Sequence, residues 1–409
     1  MKTNESRSYD EYELVAGVPL ESLRLTANAV FDDLVVDFLS SVSEQLFRSH
    51  ELRAFDDLVA LSFWLRRANL HAMASAVGLE KNRLGRGVVL HIAPSNVALN
   101  FAYSFALGLL AGNSNIVRLP SAEFPQIELF AKAIRSVLDE TRFSLIARAN
   151  SFVRFNKNSN NTALISAIAD ARMIWGGDAT IDSVRKLASK SRCIDIPFAD
   201  RYSMAIISCR AIMNLSDDQL KNLSAKFLAD TLTFDQNACS SPQLLYWISD
   251  CEKVCEAKLR LRDSLNQMAR EKYELSLSLA VKRYSYMCNG LTHLGGARAV
   301  SSSSVGDRLW FVSLERLPEK LERCKGFAGI FYEYCDKDLD ALIEKVDSKI
   351  QTITYFGVDP SVIARRIVED GRLGVDRIVP FGKALEMSPV WDGNDLFSLL
   401  SRTVYVEQS

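Results

Sequence analysis

The sequence predicts an α/β protein built on a doubly wound parallel sheet. From residue 88 onwards, short apolar runs of strand length alternate with longer runs of helical periodicity. Turns rich in glycine, proline and serine separate these runs. Strand, helix and strand in this order form βαβ units, whose strands pair in parallel. A second series of such units after residue 208 indicates a second α/β domain.

The composition is typical of a folded protein with more than one domain. The chain has 409 residues, of which 48% are hydrophobic and 24% are charged. This length is too great for one small core. The 49 basic and 50 acidic residues give a net charge of -1, so no electrostatic footprint for nucleic acid is present. No apolar run reaches membrane-spanning length, and residues 1–7 contain no signal-peptide core.

The eight cysteines are scattered, and no two of them have C-x-x-C spacing. Cys251 and Cys255 are four residues apart, but no second pair of ligands accompanies them. We therefore expect no metal site. This use of cysteine favours a reducing, cytoplasmic compartment.

The elements of the first domain follow from the chain in order. Residues 20–80 are rich in helical periodicity, with one run over 23–38 and another over 58–76. The βαβ series then begins. Its predicted strands are 88–92, 114–119, 151–155, 172–175, 192–196 and 204–208, and its predicted helices are 97–110, 126–138, 162–169 and 181–188.

The second series predicts the catalytic domain. Its predicted strands are 244–248, 326–334 and 351–356, and its predicted helices are 217–232, 251–273, 337–346 and 360–368. Residues 274–326 show no clear pattern. We place the helical N-terminal region and the cofactor domain in residues 1–208 and the catalytic domain in residues 209–379. The aromatic tail, residues 380–409, is apolar enough to pack back on the first domain.

A single thiol lies at the centre of a short polar loop in the second series. The loop, residues 234–243, reads FDQNACSSPQ and joins an amphipathic run to an apolar strand. On such a turn, helix-terminal amides can lower the pKa of Cys239 and favour the reactive thiolate. Most cysteines outside disulfides are small buried hydrophobic residues. The loop alone leaves both interpretations open.

A ligand of the first sheet is expected outside the carboxyl ends of its strands. The chain contains no G-x-G-x-x-G string. Phosphates could instead bind the amides of a helix start, and Gly176 and Gly177 stand before a predicted helix. A plain turn with Asp178 as helix cap explains the same residues.

Five strings in this order carry a family resemblance. They are HIAPSN at 91–96, AGNSNIVRLPS at 111–121, WGGD at 175–178, DQNACSSPQ at 235–243 and RIVPFG at 377–382. Together they resemble the aldehyde dehydrogenase superfamily, and specifically its LuxC-like fatty acyl-CoA reductase branch. The resemblance runs from about residue 87 to the C-terminus and is almost absent from residues 250–320. It implies an aldehyde dehydrogenase-like fold, with a Rossmann-type cofactor domain and an α/β catalytic domain.

The resemblance also implies roles for individual residues. Cys239 corresponds to the family's nucleophile, and Asn96 corresponds to the amide that donates to the developing oxyanion. His91, inside an apolar strand, is expected to be a core histidine rather than a base, and Trp391 a packing residue. The positions that correspond to cofactor contacts are Ala93, Pro94, Ser95, Arg118, Ser121, Gly176 and Gly177.

Two departures from the superfamily pattern bear on chemistry and cofactor. Aldehyde-oxidising members carry a water-activating Glu, and Phe198 lies near that position in the stretch 197–203. Its loss suits an enzyme that acylates and reduces. Members that prefer NAD have a Glu directly after the Pro-Ser pair. Ala122 stands there, with Glu123 one residue later, which favours NADP(H).

The resemblance therefore implies an NADPH-dependent, aldehyde-forming oxidoreductase that acts through an acyl-cysteine. Its substrate would be an acyl-CoA or an acyl-protein thioester. Its partners would be an acyl-protein synthetase subunit and further copies of this chain. Two alternatives stay open, namely a cysteine acyltransferase or thioesterase without redox chemistry, and a catalytically silent subunit that binds acyl groups.

Overall fold

The structure is a computed structural model that describes residues 8–78, 82–94, 97–299 and 307–407. The chain forms two compact units. The first is Met1–Ala199 with Met387–Ser409, and the second is Asp200–Glu386. The division lies before residue 200 rather than at the expected 208, because the strand Tyr202–Ser208 pairs with strands of the second unit. Likewise, the returning tail begins at residue 387 rather than 380.

The first unit begins with a helical layer and continues as a series of βαβ units. Its elements up to residue 199 are β1 (Glu13–Gly17), α1 (Asp33–Arg48), α2 (Asp56–Trp64), α3 (Arg67–Val77), β2 (Arg83–Gly85), β3 (Val88–Ile92), α4 (Asn100–Leu110), β4 (Ser114–Arg118), α5 (Pro125–Leu138), α6 (Ser144–Ala147), β5 (Asn150–Arg154), α7 (Asn161–Ser166), β6 (Ala171–Trp175), α8 (Asp178–Arg185) and β7 (Ile194–Phe198).

The first sheet has six strands in the order β1-β5-β4-β3-β6-β7. β1 is antiparallel to β5, and the other neighbours are parallel. The chain builds outwards from β3 through β4 and β5 on one side, and then through β6 and β7 on the other. The order reverses between β3 and β6, which is where doubly wound sheets bind ligands. β3 is buried along its whole length and forms part of the core of this unit.

The second unit contains the predicted catalytic domain. Its elements are β8 (Tyr202–Ser208), α9 (Cys209–Met213), α10 (Asp217–Leu232), β9 (Pro242–Ile248), α11 (Val254–Lys272), α12 (Leu277–His293), β10 (Ala297–Ala299), β11 (Trp310–Leu314), β12 (Ile330–Asp336), α13 (Asp340–Glu344), β13 (Ile350–Phe356), α14 (Pro360–Glu369) and β14 (Arg377–Pro380).

The second sheet has seven strands in the order β10-β11-β12-β9-β8-β13-β14. β10 is antiparallel to β11, and all other neighbouring strands are parallel. β8 and β9 are central and almost fully buried, which agrees with their mainly apolar sequences. The amino end of β9 follows the predicted nucleophile loop directly.

The tail returns to the first unit after residue 386. It contains β15 (Val390–Trp391), β16 (Asn394–Asp395), α15 (Leu396–Leu400) and β17 (Ser401–Thr403). β17 pairs antiparallel with β2. Trp391 is only 7% exposed and belongs to the core of this unit, which agrees with its expected packing role.

Two helical predictions near the N-terminus are partly wrong. The run over 23–38 does not form one helix, because α1 begins only after Asp32, whose carboxylate caps it through Leu34 N. Phe31 just before it has a left-handed φ of 54°, which no helix accommodates. The run over 58–76 is two helices, separated at Arg66, which is extended.

None of the helices in the described part of the chain is both long enough and apolar enough to cross a membrane. The second unit contains a disulfide between Cys209 and Cys251, which are 42 residues apart in the chain. This pair was not predicted from the sequence. The two residues become neighbours because they follow the carboxyl ends of the adjacent strands β8 and β9.

Candidate active site

Cys239 lies in the loop between α10 and β9, where the sequence predicted it. Its side chain is half-buried, and the thiol is separate from the Cys209–Cys251 disulfide. α10 begins with a complete capping box, in which Ser216 and Gln219 bond each other's backbone N–H groups. The helix ends at Leu232, so the loop starts from a well-defined terminus.

Two consecutive residues of the loop have left-handed backbone conformations. Asp235 has a φ of 51° and Gln236 a φ of 63°. Such values are uncommon for residues with a Cβ, particularly two in succession. Their N–H groups bond back to the end of α10, at 3.1 Å from Asp235 N to Leu232 O and 2.7 Å from Gln236 N to Thr231 O.

Two buried glutamine side chains fix the loop to the segment before β12. Gln236 Nε2 donates to Ile330 O at 3.0 Å and to Pro242 O at 3.1 Å, and its Oε1 accepts from Gly329 N at 3.1 Å. Gln243 Oε1 accepts from Gly326 N at 2.9 Å. These bonds satisfy buried amides and hold both sides of the loop.

The residues next to the thiol are fixed by two serines. Ser203 Oγ donates to Cys239 O at 2.6 Å and accepts from Thr352 N at 3.1 Å. The side chain of Ser241 donates to Asp230 O at 2.7 Å. Both serines are fully buried, so these bonds are shielded from water.

Asp230, on α10, joins the nucleophile loop to the RIVPFG string. Its carboxylate accepts from Gly382 N at 2.6 Å and from Ala384 N at 2.8 Å. The side chain is buried, and this desolvation raises its pKa to about 6, although the two N–H donors and Arg377 oppose the shift. Arg377 itself donates to Ala384 O at 2.9 Å.

The predicted cofactor residues in the described part of the chain follow the carboxyl ends of β3, β4 and β6. Ala93 N donates to Arg118 O at 3.3 Å, which brings the ends of β3 and β4 together. Gly176 follows β6, its N–H donates to Phe198 O at 3.2 Å, and Gly177 is the N-cap of α8. Asp178, expected as the cap, is instead the first residue of that helix.

Two further predicted cofactor residues, Pro94 and Ser121, lie in the turns that follow β3 and β4. Pro94 is half-buried beside Ala93, and Ser121 is exposed in the turn after β4. Ser95 and the predicted oxyanion donor Asn96 lie outside the described residues.

The edge of the first sheet fits an anionic dinucleotide. The Nε of Arg118 is buried and has no hydrogen-bond partner among the described residues, and the guanidinium lies 5.0 Å from the centre of the Phe155 ring. Burial lowers the pKa of Arg118, yet an arginine stays charged at neutral pH. Among the described residues, apart from its chain neighbours and the helix's own backbone, no atom lies within 4 Å of the place where a Cβ on Gly177 would be, so a phosphate could approach this helix start closely.

His91 is a core histidine, as the sequence predicted. It is fully buried in β3, with Nδ1 2.7 Å from Ser104 Oγ and Nε2 2.9 Å from Asn115 Oδ1. Burial lowers its pKa to about 4, so the ring is neutral at physiological pH. Both nitrogens are engaged within the core.

The stretch that carries a base in aldehyde-oxidising relatives is apolar or already ion-paired here. Phe198 stacks on Trp175, with ring centres 3.7 Å apart and planes 9° apart. Asp195 forms a bidentate pair with the buried guanidinium of Arg172, at 2.6 and 2.8 Å. The exposed Asp200 pairs with Lys325 at 3.6 Å.

Several residues of the site were not predicted from the sequence. Ser203, Asp230 and Tyr273 hold the loop from β8, α10 and the end of α11. Ser203 and Asp230 are ordinary polar positions in apolar runs, so only an unexplained polar residue among buried neighbours could have indicated them. Tyr273 lies in a region without any family string.

The carboxyl ends of the parallel strands in the second sheet lie away from the Cys239 loop, which precedes the amino end of β9. The disulfide and a cavity of about 290 Å³ lie at these carboxyl ends. Ser208, Asp250 and Gly357 are among the residues that line it. Donor atoms of Cys209, Asp250 and Cys251 lie within 4.8 Å of one another. With the two sulfurs bonded to each other, neither is a thiolate ligand for a metal.

Comparison with known families supports the resemblance in the sequence. The family model described as Acyl-CoA reductase (LuxC) matches residues 27–403. A long-chain acyl-protein thioester reductase from Vibrio harveyi is 28% identical over 183 residues, which are 44% of this chain and 36% of that protein. The match thus spans about a third of that relative's length.

Solved structures show the fold. Methylmalonate-semialdehyde dehydrogenase from Oceanimonas doudoroffii has a TM-score of 0.62 at 11% identity, over 92% of this chain and 86% of that one. Glyceraldehyde-3-phosphate dehydrogenase from Methanocaldococcus jannaschii, complexed with NADP, has a TM-score of 0.61 at 12% identity, over 90% and 88%. The predicted aldehyde dehydrogenase-like fold is therefore confirmed.

Proposed function

The chain belongs to the acyl-CoA reductase (LuxC) family, and from this premise we propose that it reduces an acyl thioester to the aldehyde with NADPH, through an acyl-cysteine on Cys239. The observation that carries the proposal is the Cys239 loop. It presents a half-buried thiol on a backbone held by hydrogen bonds from β8, α10 and the segment before β12. A fixed nucleophile is what acyl transfer needs.

The first step is transfer of the acyl group to the enzyme. The thiolate of Cys239 attacks the thioester carbonyl, a bond forms between its sulfur and the carbonyl carbon, and the bond to the donor's sulfur breaks. The donor thiolate leaves and takes up a proton from solvent. The acyl group remains on Cys239 as a new thioester, so this step needs no oxidant or reductant.

The tetrahedral species of this step carries an oxyanion. We assign its stabilisation to the Asn96 amide and the backbone N–H of Cys239. Removing one such donor typically costs about 3 kcal/mol of transition-state stabilisation. The Ser203 bond to Cys239 O fixes the next peptide, between Cys239 and Ser240, and so restrains the backbone of the nucleophile.

The cofactor is assigned to the switch-point edge of the first sheet. Ala93, Arg118 and Gly177 would bind its anionic part, with Pro94, Ser95, Ser121 and Gly176 beside them. The chemistry that a reduced nicotinamide supplies when bound is hydride transfer to an acyl carbonyl carbon. The orphaned Nε of Arg118 and the absence of an acidic residue at position 122 support NADPH over NADH.

The surroundings of Phe198 favour reduction over hydrolysis. Water attack on an acyl-cysteine needs a base within hydrogen-bond reach of the water. The position that supplies a carboxylate in aldehyde-oxidising relatives is an aromatic ring stacked on Trp175. The carboxylate of Asp195 is committed to Arg172.

The test is turnover of acyl-CoA thioesters of several chain lengths with each reduced nicotinamide and identification of the product. We expect NADPH consumption to match aldehyde formation one for one. Thiol release without NADPH consumption would favour the acyltransferase or thioesterase. Binding of acyl groups without any turnover would favour the silent subunit.

A further inference from the structure

The strained backbone before Cys239 is held by a tyrosine from outside the family strings. We propose that Asp235 and Tyr273 are positioning residues, whose hydrogen bond sets the place of the Cys239 thiol. The proposal deepens the proposed function and rests on it where acylation of Cys239 is the quantity measured.

The backbone just before Cys239 has an unusual conformation. Asp235 and Gln236 both have positive φ, and glutamine is not a residue that adopts this region readily. Two such residues in succession persist only where the surrounding structure fixes them. The positions before Cys239 therefore need external support.

The support comes from both sides of the loop. Tyr273 Oη donates to Asp235 Oδ1 at 2.6 Å, while Ala328 N donates to Asp235 O at 3.1 Å. Gly329 N donates to the side chain of Gln236 at 3.1 Å. Tyr273 therefore holds the side chain of Asp235. The turn at residues 328–329 holds both strained residues, through the backbone of Asp235 and the side chain of Gln236.

Tyr273 is suited to be a permanent donor. It follows α11 directly, and its own N–H donates to Ala269 O at 2.9 Å, so its backbone is fixed to the end of a 19-residue helix. Burial, and then the bond to Asp235, raise the pKa of the phenol far above neutrality. The hydroxyl thus stays protonated and can donate to Asp235 throughout the working pH range.

Arg283 supports the other side of the same arrangement. Its guanidinium is buried, lies 4.0 Å from the centre of the Trp310 ring, and donates to Arg308 O and to Ala328 O. Ala328 is the residue whose N–H holds Asp235 O. Helices α11 and α12 thus both contribute to the conformation of the nucleophile loop.

The conformation at Asp235 reaches Cys239 through two tight turns. Asn237 N donates to Phe234 O at 2.9 Å, and Ser241 N donates to Ala238 O at 2.9 Å. Little free rotation remains between Asp235 and the thiol. A displacement of about 1 Å at a nucleophile can cost roughly a hundredfold in rate.

The experiment uses substitutions that remove the hydrogen bond between Tyr273 and Asp235 while residue 235 can still adopt a positive φ. Tyr273→Phe removes only the hydroxyl. Asp235→Gly removes the acceptor but tolerates positive φ, and Asp235→Asn keeps both an acceptor oxygen and tolerance of positive φ. Tyr246→Phe is the matched control, because its hydroxyl donates a hydrogen bond of similar length, to the backbone oxygen of Asp338 at 2.7 Å, beyond the other end of β9.

Two rates are measured for each full-length variant. One is single-turnover acylation of Cys239 by acyl-CoA, with the acyl-CoA concentration giving half-maximal rate. The other is alkylation of Cys239 by iodoacetamide across pH, with the exposed Cys255 as internal reference. Melting temperature is recorded to confirm folding.

We expect Tyr273→Phe and Asp235→Gly to slow acylation by about tenfold or more, with the half-saturating concentration unchanged. The variant carrying both changes should be no slower than Asp235→Gly. Asp235→Asn should retain most of the rate, and Tyr246→Phe should equal wild type. Alkylation should change at Cys239 alone.

The proposal is overturned if Tyr273→Phe matches Tyr246→Phe in both rates, or if the two changes slow acylation multiplicatively. A wild type that never acquires an acyl group on Cys239 would instead refute the proposed function. In that case the alkylation rates still decide whether Tyr273 sets the place of the thiol.

Discussion

At the scale of single residues, Cys239 is the group on which the proposed chemistry depends. Replacing it with alanine removes the only atom assigned to carry the acyl group, so aldehyde formation should stop. The fold and NADPH binding should be unchanged, since the side chain is only half-buried. The measurement is aldehyde yield beside NADPH affinity, with Cys255→Ala as a control that retains activity. An active Cys239→Ala protein would refute the nucleophile assignment.

Position 122 is the residue to which we assign the proposed preference for NADPH. Ala122→Glu places a carboxylate where NAD-preferring relatives hold ribose hydroxyls, and it would repel a 2′-phosphate. We expect kcat/KM for NADH relative to NADPH to rise by about tenfold. Glu123→Gln is the neighbouring control and should leave the ratio unchanged. If the ratio of kcat/KM values for NADH and NADPH changes with Glu123→Gln and not with Ala122→Glu, the residue that sets the cofactor preference is Glu123.

Asp230 predicts a pH-dependent difference in stability. Its pKa is about 6 in the folded protein against 3.8 ordinarily, so the folded state binds this proton more tightly than the unfolded chain. Relative to Asp230→Asn, the wild type should therefore gain about 1 kcal/mol in free energy of unfolding as pH falls from about 8 to about 5. Below the unfolded pKa the gain is complete, and above the folded pKa it is absent.

The measurement for Asp230 is urea unfolding of both proteins at several pH values. The exposed Asp217→Asn protein, changed on the same helix, serves as the control. A difference between wild type and Asp230→Asn that is constant with pH would show that the carboxylate is not desolvated.

At the scale of elements, the disulfide links the ends of two central strands. Cys209 and Cys251 are separated by 42 residues, and closing a loop of this size restricts the unfolded chain. Cys209→Ser should lower the free energy of unfolding of the oxidised protein by up to about 4 kcal/mol. When a thiol reductant is added to open the disulfide, the free energies of unfolding of wild type and variant should differ far less. Equal stability of both proteins under oxidising conditions would contradict this.

The elements that the sequence predicted most closely are the buried parallel strands. β3 was predicted at its observed bounds, and α10 likewise, because an unbroken apolar run and an amphipathic run flanked by polar turns each admit one interpretation. β1 was missed, since it is a short edge strand that is only partly buried and pairs with β5 far along the chain. Non-local pairing of this kind leaves no periodic signal.

The region after α11 shows why the rest of the site could not be predicted. α12 has one buried residue, Arg283, and exposes the apolar residues Leu277 and Val281, so apolar side chains occur on its outer face too and obscure the helical pattern. Tyr273 donates to the side-chain carboxylate of Asp235, and Arg283 donates to the backbone oxygen of Ala328, both in distant loops. Such contacts depend on tertiary structure rather than on a local motif.

At the scale of the whole molecule, the proposed function assigns cofactor binding to the first unit and the nucleophile to the second. The first unit offers a switch-point edge with an arginine and a glycine-capped helix, and the second holds a fixed thiol. The family strings predicted both, because they coincide with strand ends and with the nucleophile loop. The domain limits were displaced by several residues, since β8 reads as the last strand of the first series but pairs in the second sheet.

The most direct test of the account is the intact mass of the protein before and after NADPH. With acyl-CoA alone, the account predicts roughly one acyl group per chain on Cys239, released thiol in the same amount, and then a stable adduct. Phe198 supplies no base for water, so the adduct should persist. Adding NADPH should remove the adduct as aldehyde. Loss of the adduct as free acid before NADPH is added would contradict the account and make the protein a hydrolase.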